Sequence, residues 1–415
     1  MNIKEYVEEN FTEAIEFLKE LIKFPSISGE GEKEAQEFIK EKFSQFGDVS
    51  SVPISEDIKK DPEYTFADNN LGYSNRKNLV LEFPSEGSGR SLILNSHIDV
   101  VPAQDWKDAF SPREKEGFIY GRGACDAKGQ LATIYLTLLA LKKNRVKLKG
   151  KLIVQSVIEE EVGGNGTLAL LRDNYKADGV IVLEPTGLNI CPANRGAIWY
   201  RLEVKGKSVH MGRITEGVNA IEKACFLMHR LKEYERHLIE ESKNEPLFER
   251  YTQPVQVNFG TIRGDGWPSM VCGYVVLEGG VGFLPNKDLA TIKKELKEVI
   301  ENCGDSWIIN NYKISYPKLH NDAYAIPPDH PLVETIKKAA IDSGIVPDVE
   351  GFIASCDARL FNKVGNMPVV VFGPGKLEDA HSDTEKIDTE GIKKASTVLV
   401  STVLNWCGGQ VLLFA

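Results

Sequence analysis

Four short runs of nearly unbroken apolar residues constrain this chain more than any other feature: NLVLEF (78–83), SLILNS (91–96), KLIVQSVI (151–158) and GVIVLE (179–184). Strands without polar alternation are buried on both faces, which calls for a mostly parallel or mixed sheet covered by helices. Helical spacing at 11–23, 32–45, 127–143 and 166–174 supplies that cover. The same texture returns late in the chain, with a helix at 331–343, the strand MPVVVFG (367–373) and a helix at 388–404. The expected fold class is therefore α/β, a mostly parallel or mixed sheet flanked by helices.

Between these two stretches the pattern changes. IWYRLEVKG, VQVNFGTI and GYVVLEGGVGF alternate apolar and polar residues, as half-buried strands do, and long helical patterns run over 217–240 and 288–301. At 415 residues the chain exceeds what one core usually supports. The spacing thus predicts one catalytic domain, residues 1–193 and 319–415, interrupted by an α+β module at 194–318.

A formal net charge of -10 disfavours nucleic acid as a partner, because no basic stripe is dense enough to offset the repulsion of phosphate. Seven scattered cysteines without CxxC spacing fit a reducing compartment better than a disulfide framework. The N-terminus is acidic and amphipathic, unlike a signal peptide, and no apolar run approaches the roughly 20 residues that span a bilayer. These features predict a cytoplasmic protein with no membrane partner. The terminal GGQVLLFA reads as an edge strand or interface contact.

Chemistry gathers where the apolar runs end. SHIDVVP places His97 and Asp99 just beyond one strand, at the carboxyl edge where open α/β sheets bind ligands. Residues two apart share a strand face, so Asp99 is expected to accept a hydrogen bond from His97 and leave the other ring nitrogen for a metal. YGRGACDAKGQ sets Asp126 in a glycine-rich turn before a helix, where a helix cap is the competing role. IEEEVGG delivers Glu159, Glu160 and Glu161; VLEPT delivers Glu184; GPGKLEDAHSDTE delivers His381. Carboxylates mixed with imidazoles suit zinc, cobalt or manganese better than calcium or magnesium. Two cations about 3.5–4 Å apart need a bridging carboxylate, terminal ligands and a base beside the water. This inventory meets that need.

Together these motifs resemble the M20 family of metallopeptidases and deacylases, which includes acetylornithine deacetylases, desuccinylases, aminoacylases and carboxypeptidase G, and the resemblance runs in order through nearly the whole chain. It implies a zinc-exopeptidase-like catalytic domain and two divalent metal ions, most often zinc. It implies His97 and Glu184 on one metal, Glu161 and His381 on the other, Asp126 bridging both, and Asp99 orienting His97. Glu160 aligns with the general base, taking a proton from the attacking water and handing it to the leaving amine. The interrupting module resembles the family's lid, which implies a homodimer in which His210, in GKSVHMGRITEGVNAI, reaches the partner's site. A surface or capping histidine is the alternative. CDAR offers Arg359 for a substrate carboxylate, with the backbone of Gly373 and Gly375 lining the same pocket.

The implied activity is cleavage of the amide of an N-acyl amino acid or short peptide. A dipeptidase- or carboxypeptidase-type exopeptidase is the alternative within the family, and an inactive metal-binding scaffold the alternative outside it. One departure bears on substrate: a lid arginine often used for carboxylates falls near Gly280. Cys125, beside Asp126, reads as a small packed residue. Glu160 and Glu161 must both reach the metals although neighbours in a strand diverge, so the VGG that follows is expected to bend the backbone.

Overall fold

The computed structural model describes residues 3–66 and 71–410. The apolar runs form the centre of a nine-stranded sheet. Its order is Asp48–Pro53, Lys77–Phe83, Leu152–Val157, Leu92–His97, Gly179–Val182, Val369–Val371, Ile190–Asn194 and Tyr324–Ala325, with Val349–Phe352 beside Ile190–Asn194. Leu92–His97 is parallel to both of its neighbours, and Val369–Val371 is parallel to Gly179–Val182. Asp48–Pro53, Lys77–Phe83 and Tyr324–Ala325 pair antiparallel with their neighbours, while Val349–Phe352 is parallel to Ile190–Asn194, so the sheet is mixed. Among the described residues no α-helix intervenes between Asp48–Pro53 and Lys77–Phe83, and these two strands pair antiparallel.

Ile93, Leu94, Val154, Ile181 and Val370 are buried in the centre of this sheet. Each such side chain contributes about 1.5–3 kcal/mol of transfer free energy. Helices Ile3–Ile22, Lys128–Lys143 and Thr389–Cys407 pack on one another against it. The first begins earlier than its expected start at 11, because the apolar stripe extends back to the buried Val7.

The interrupting stretch forms a second, five-stranded antiparallel sheet with its own hydrophobic cluster. In Gly196–Lys205, Ile198, Tyr200, Leu202 and Val204 face inward, while Trp199 is 50% exposed on the other face. Helices Ala220–Ser242 and Leu289–Glu301 join the inward cluster through Leu227, Leu231, Ile292 and Leu296. The chain enters this sheet across Arg195. It returns through His320–Asn321, paired to Gly196–Lys205, and Tyr324–Ala325, paired to Ile190–Asn194.

Gly409–Gln410 pairs with Lys147–Leu148, so the start of the terminal apolar segment is a strand; residues 411–415 lie outside the described residues. No helix among the described residues is long and apolar enough to cross a membrane.

Candidate metal centre and active site

Three parallel strands aim their carboxyl ends at one place. His97 ends Leu92–His97, the glutamate triplet follows Leu152–Val157, and Glu184 follows Gly179–Val182. The expected bend is present, and it begins one residue before Glu160: Glu159 has φ 62°, then Gly163 and Gly164 have φ 126° and 83°. The N–H groups of Gly163 and Gly164 donate to the carbonyls of Glu160 and Glu159, each at 2.8 Å. Glu160 and Glu161 therefore lie in a turn, not on a continuing strand.

A left-handed glutamate costs about 1–3 kcal/mol of backbone strain. The contacts of its side chain offset that cost. Tyr73 Oη and Asn165 Nδ2 donate to Glu159 Oε2 at 2.7 and 2.8 Å, and Arg76 Nη1 lies 2.6 Å from Oε1. Arg76 also donates to both oxygens of Glu32, at 2.7 and 3.1 Å. Glu159 thus braces the turn, and Arg76, Tyr73 and Asn165 are the partners that hold it, which the sequence patterns did not single out.

Asp126 has an imidazole on each carboxylate oxygen. His97 Nε2 is 3.0 Å from Oδ1, and His381 Nε2 is 3.2 Å from Oδ2. Glu161 lies on the His381 side at 3.2 Å, and Glu184 on the His97 side at 3.9 Å. Ligand atoms of His97, Asp126 and Glu161 fall within 4.8 Å of one another, a spacing that one cation can bridge. Asp126 is not a helix cap: Ala127 occupies the cap of Lys128–Lys143. Instead, the N–H groups of Cys125 and Asp126 donate to Glu385 Oε1 at 2.9 and 3.1 Å, and Arg122 pairs with the same carboxylate at 2.7 Å. Glu385 was legible only as the fourth residue after His381.

Asp99 does more than expected, and by a different atom. His97 Nδ1 lies 2.9 Å from the Asp99 main-chain carbonyl but 3.5 Å from its carboxylate. A carbonyl only accepts, so Nδ1 carries the proton and Nε2 faces the cluster. The Asp99 carboxylate instead accepts the N–H groups of Glu160 and Glu161, both at 3.1 Å, and the Ser28 hydroxyl at 2.9 Å. The strand ends at His97, so the alternation that would have paired the two side chains no longer applies.

The electrostatics of the cluster show its need for positive charge. Burial pushes Glu160 and Glu184 well above the usual carboxylate range, with neighbouring acids adding to the shift. Burial and the Asp126 charge raise Glu161 to about 7. Asp126 moves the other way: burial opposes ionisation, but hydrogen bonds with His381 and His97 outweigh it and hold the group below its usual range. Those with Asp126 and Glu161 raise His381 to about 10. Glu184 Oε1 is buried with no hydrogen-bond partner among the described residues. Divalent cations would satisfy that oxygen and the crowded carboxylates together, so the residues fit a metal centre.

The remaining candidates are placed differently. Arg359 is buried; its Nη1 donates to Glu63 at 3.2 Å and its Nη2 to the Gly163 carbonyl at 3.0 Å, so it already holds a carboxylate of this chain. Gly373 donates its N–H to Thr186 Oγ1 at 3.1 Å, inside the protein. Gly375 has φ 78°, and a Cβ there would come within 2.8 Å of Cys125 Sγ. His210 is exposed and accepts the Gly212 N–H at Nδ1, a capping contact. Cys125 is buried and burial raises its thiol, consistent with a packed residue. Asp357, which sequence reading passed over except as part of CDAR, is buried, accepts from Thr167 at 2.5 Å, and is raised by burial to about 6.

The mixed sheet, with imidazoles and buried carboxylates converging on Asp126 at its strand ends, defines an α/β enzyme of the metal-dependent hydrolase class. The chain belongs to peptidase family M20/M25/M40, which it matches over residues 93–405. It is 30% identical over 346 residues to the N-formyl-4-amino-5-aminomethyl-2-methylpyrimidine deformylase of Bacillus subtilis (strain 168), covering 76% of this chain and 79% of that one. It is likewise 30% identical over 340 residues to the acetylornithine deacetylase of Myxococcus xanthus, covering 80% and 85%. The fold resembles that of a tripeptidase from Staphylococcus aureus subsp. aureus Mu50, with TM-score 0.76 and 19% identity over 96% of this chain and 99% of that one.

Proposed function

We propose that this protein hydrolyses the amide of a small N-acyl amine or N-acyl amino acid at a two-metal centre, with zinc as the preferred ion and cobalt or manganese as substitutes. The observation that carries this reading is the Asp126 carboxylate with one imidazole on each oxygen. In it, His97 and Glu184 would hold one cation and His381 and Glu161 the other, with Asp126 available to both. Bound cations would supply carbonyl polarisation and a lowered water pKa. Glu160 takes the proton of the attacking water on its carboxylate and returns it to the leaving nitrogen. Asp99 positions that base by holding its main-chain N–H.

Deacylation is preferred over dipeptide cleavage because the relatives at 30% identity are named for removal of formyl and acetyl groups. The second sheet, over about 194–318, would act as the lid and pair two copies. His210 accepts the Gly212 N–H at Nδ1, which leaves Nε2 to donate to an oxyanion across such a pairing. A reducing, cytoplasmic setting agrees with seven free cysteines. The test is zinc-reconstituted protein assayed on N-formyl and N-acetyl amines, N-acyl amino acids and dipeptides. Turnover of acyl amides is expected; activity confined to dipeptides would replace the deacylase with an exopeptidase.

A further inference from the structure

The turn that carries Glu160 is held from two sides. On one, the Asp99 carboxylate accepts the main-chain N–H groups of Glu160 and Glu161. On the other stands Glu159, left-handed at φ 62°. A residue with a Cβ disfavours that conformation, so it persists only where the surroundings enforce it. The sign of φ bears on chemistry, because a return to negative φ would rotate the next peptide and swing the Glu160 carboxylate off its present direction.

The contacts that enforce it divide unequally. Tyr73 and Asn165 both donate to Glu159 Oε2, whereas Oε1 meets Arg76 Nη1 alone among the described residues, at 2.6 Å. The Arg76 side chain is 9% exposed, and its Nε and Nη2 are spent on Glu32, the first residue of the helix Glu32–Phe43. A planar guanidinium can address two carboxylates at once through a fixed fork; the single ammonium of a lysine cannot reproduce that geometry. Arg76 Cζ also lies 5.4 Å from the centre of the Tyr73 ring, so the same cation steadies the tyrosine that holds Oε2. A cavity of about 330 Å³ opens beside it, lined by Gly31, Glu32, Gly72, Ser74, Asn75 and Arg76.

We propose that Arg76 is a positioning residue for the reaction: through Glu159 it holds the left-handed turn that aims Glu160 and Glu161 into the cluster of His97, Asp126 and His381. The proposal rests on the reading of Glu160 as the base. It differs from a contribution to stability alone, because loss of the cation misdirects the base in protein that is still folded.

The test is kcat and KM of the full-length, zinc-loaded Arg76→Ala and Arg76→Lys variants on an N-acyl substrate that the wild type cleaves, with circular dichroism to establish folding. In Arg76→Ala, kcat should fall by about 10–100-fold at nearly unchanged KM. Guanidinium chloride, at concentrations that leave the wild type unaffected, should restore part of that loss by entering the vacated cavity, and equal sodium chloride should not. Arg76→Lys keeps the charge, serves if the alanine variant does not fold, and should show a smaller loss of the same kind. Wild-type kcat in folded Arg76→Ala, or in Arg76→Lys where the alanine variant does not fold, would overturn the proposal. So would a loss in folded Arg76→Ala that guanidinium leaves untouched. If the wild type cleaves no amide, the proposed reaction fails and the turn is read directly. Hydrogen exchange of the Gly163 and Gly164 N–H groups, which donate to the carbonyls of Glu160 and Glu159, should then quicken in the folded variant and slow again with guanidinium. Exchange at the wild-type rate would overturn the positioning role by itself.

Discussion

The Asp99 carboxylate accepts the main-chain N–H of Glu160 at 3.1 Å, so the strand end that carries His97 also fixes the turn that carries the proposed base. Asp99→Asn keeps the shape and offers one acceptor oxygen where two N–H groups and the Ser28 hydroxyl now converge on two. We expect metal affinity or kcat to fall by about 10–100-fold, and the melting temperature to fall with the loss of an acceptor for a buried N–H. Wild-type values for both would show that the main-chain carbonyl of Asp99 alone suffices.

Glu160→Gln removes the proton carrier and leaves the cluster of His97, Asp126 and Glu161 intact. Turnover should drop by at least about 10²–10⁴-fold while metal content by atomic emission stays at the wild-type level. Retained turnover on every accepted substrate would assign the base elsewhere.

Asp126→Ala takes away the group shared by both imidazoles. Both metal positions should empty together. Full occupancy of either one, measured after desalting, contradicts the bridging role.

Arg76→Ala leaves Glu32 and Glu159 buried without their shared cation. Breaking a buried pair by removing one partner costs about 3–5 kcal/mol, to be read by urea denaturation. A change below about 1 kcal/mol would mean that the network contributes no more than a surface ion pair.

The metal-free protein should lose stability as pH rises. Hydrogen bonds with Asp126 and Glu161 raise His381 from its ordinary 6.5 to about 10, so that stabilisation is complete below 6.5 and lost as pH rises through 10. Glu161, raised by burial from 4.5 to about 7, acts in the same direction, since its neutral form is favoured below 4.5 and its ionised form becomes costly as pH passes 7. Metal binding requires the same groups deprotonated, so zinc affinity should strengthen over that range. Thermal melts of chelator-treated and zinc-loaded protein across the series test both. A metal-free midpoint that climbs with pH would be incompatible with these shifts.

Much of the fold and the candidate site is legible in the sequence for a physical reason. Local periodicity locates strands such as Leu92–His97 and helices such as Lys128–Lys143, and polar residues at the ends of apolar strands have few roles other than chemistry. His97, Glu161 and Glu184 carry that local mark, while Asp126 and His381 stand in glycine-containing turns that the sequence also shows. What no local pattern encodes is which partner a side chain meets. Hydrogen bonding across 61 residues decides that the Asp99 carboxylate holds Glu160 and not His97. Packing across 296 residues decides that Arg359 is spent on Glu63, while Arg195 meets the neutral Gln256 and Pro254 carbonyl and forms no ion pair among the described residues. The chain alone determines which residues are available for chemistry; only the tertiary structure decides which charges are already neutralised, because that depends on distances the sequence does not contain.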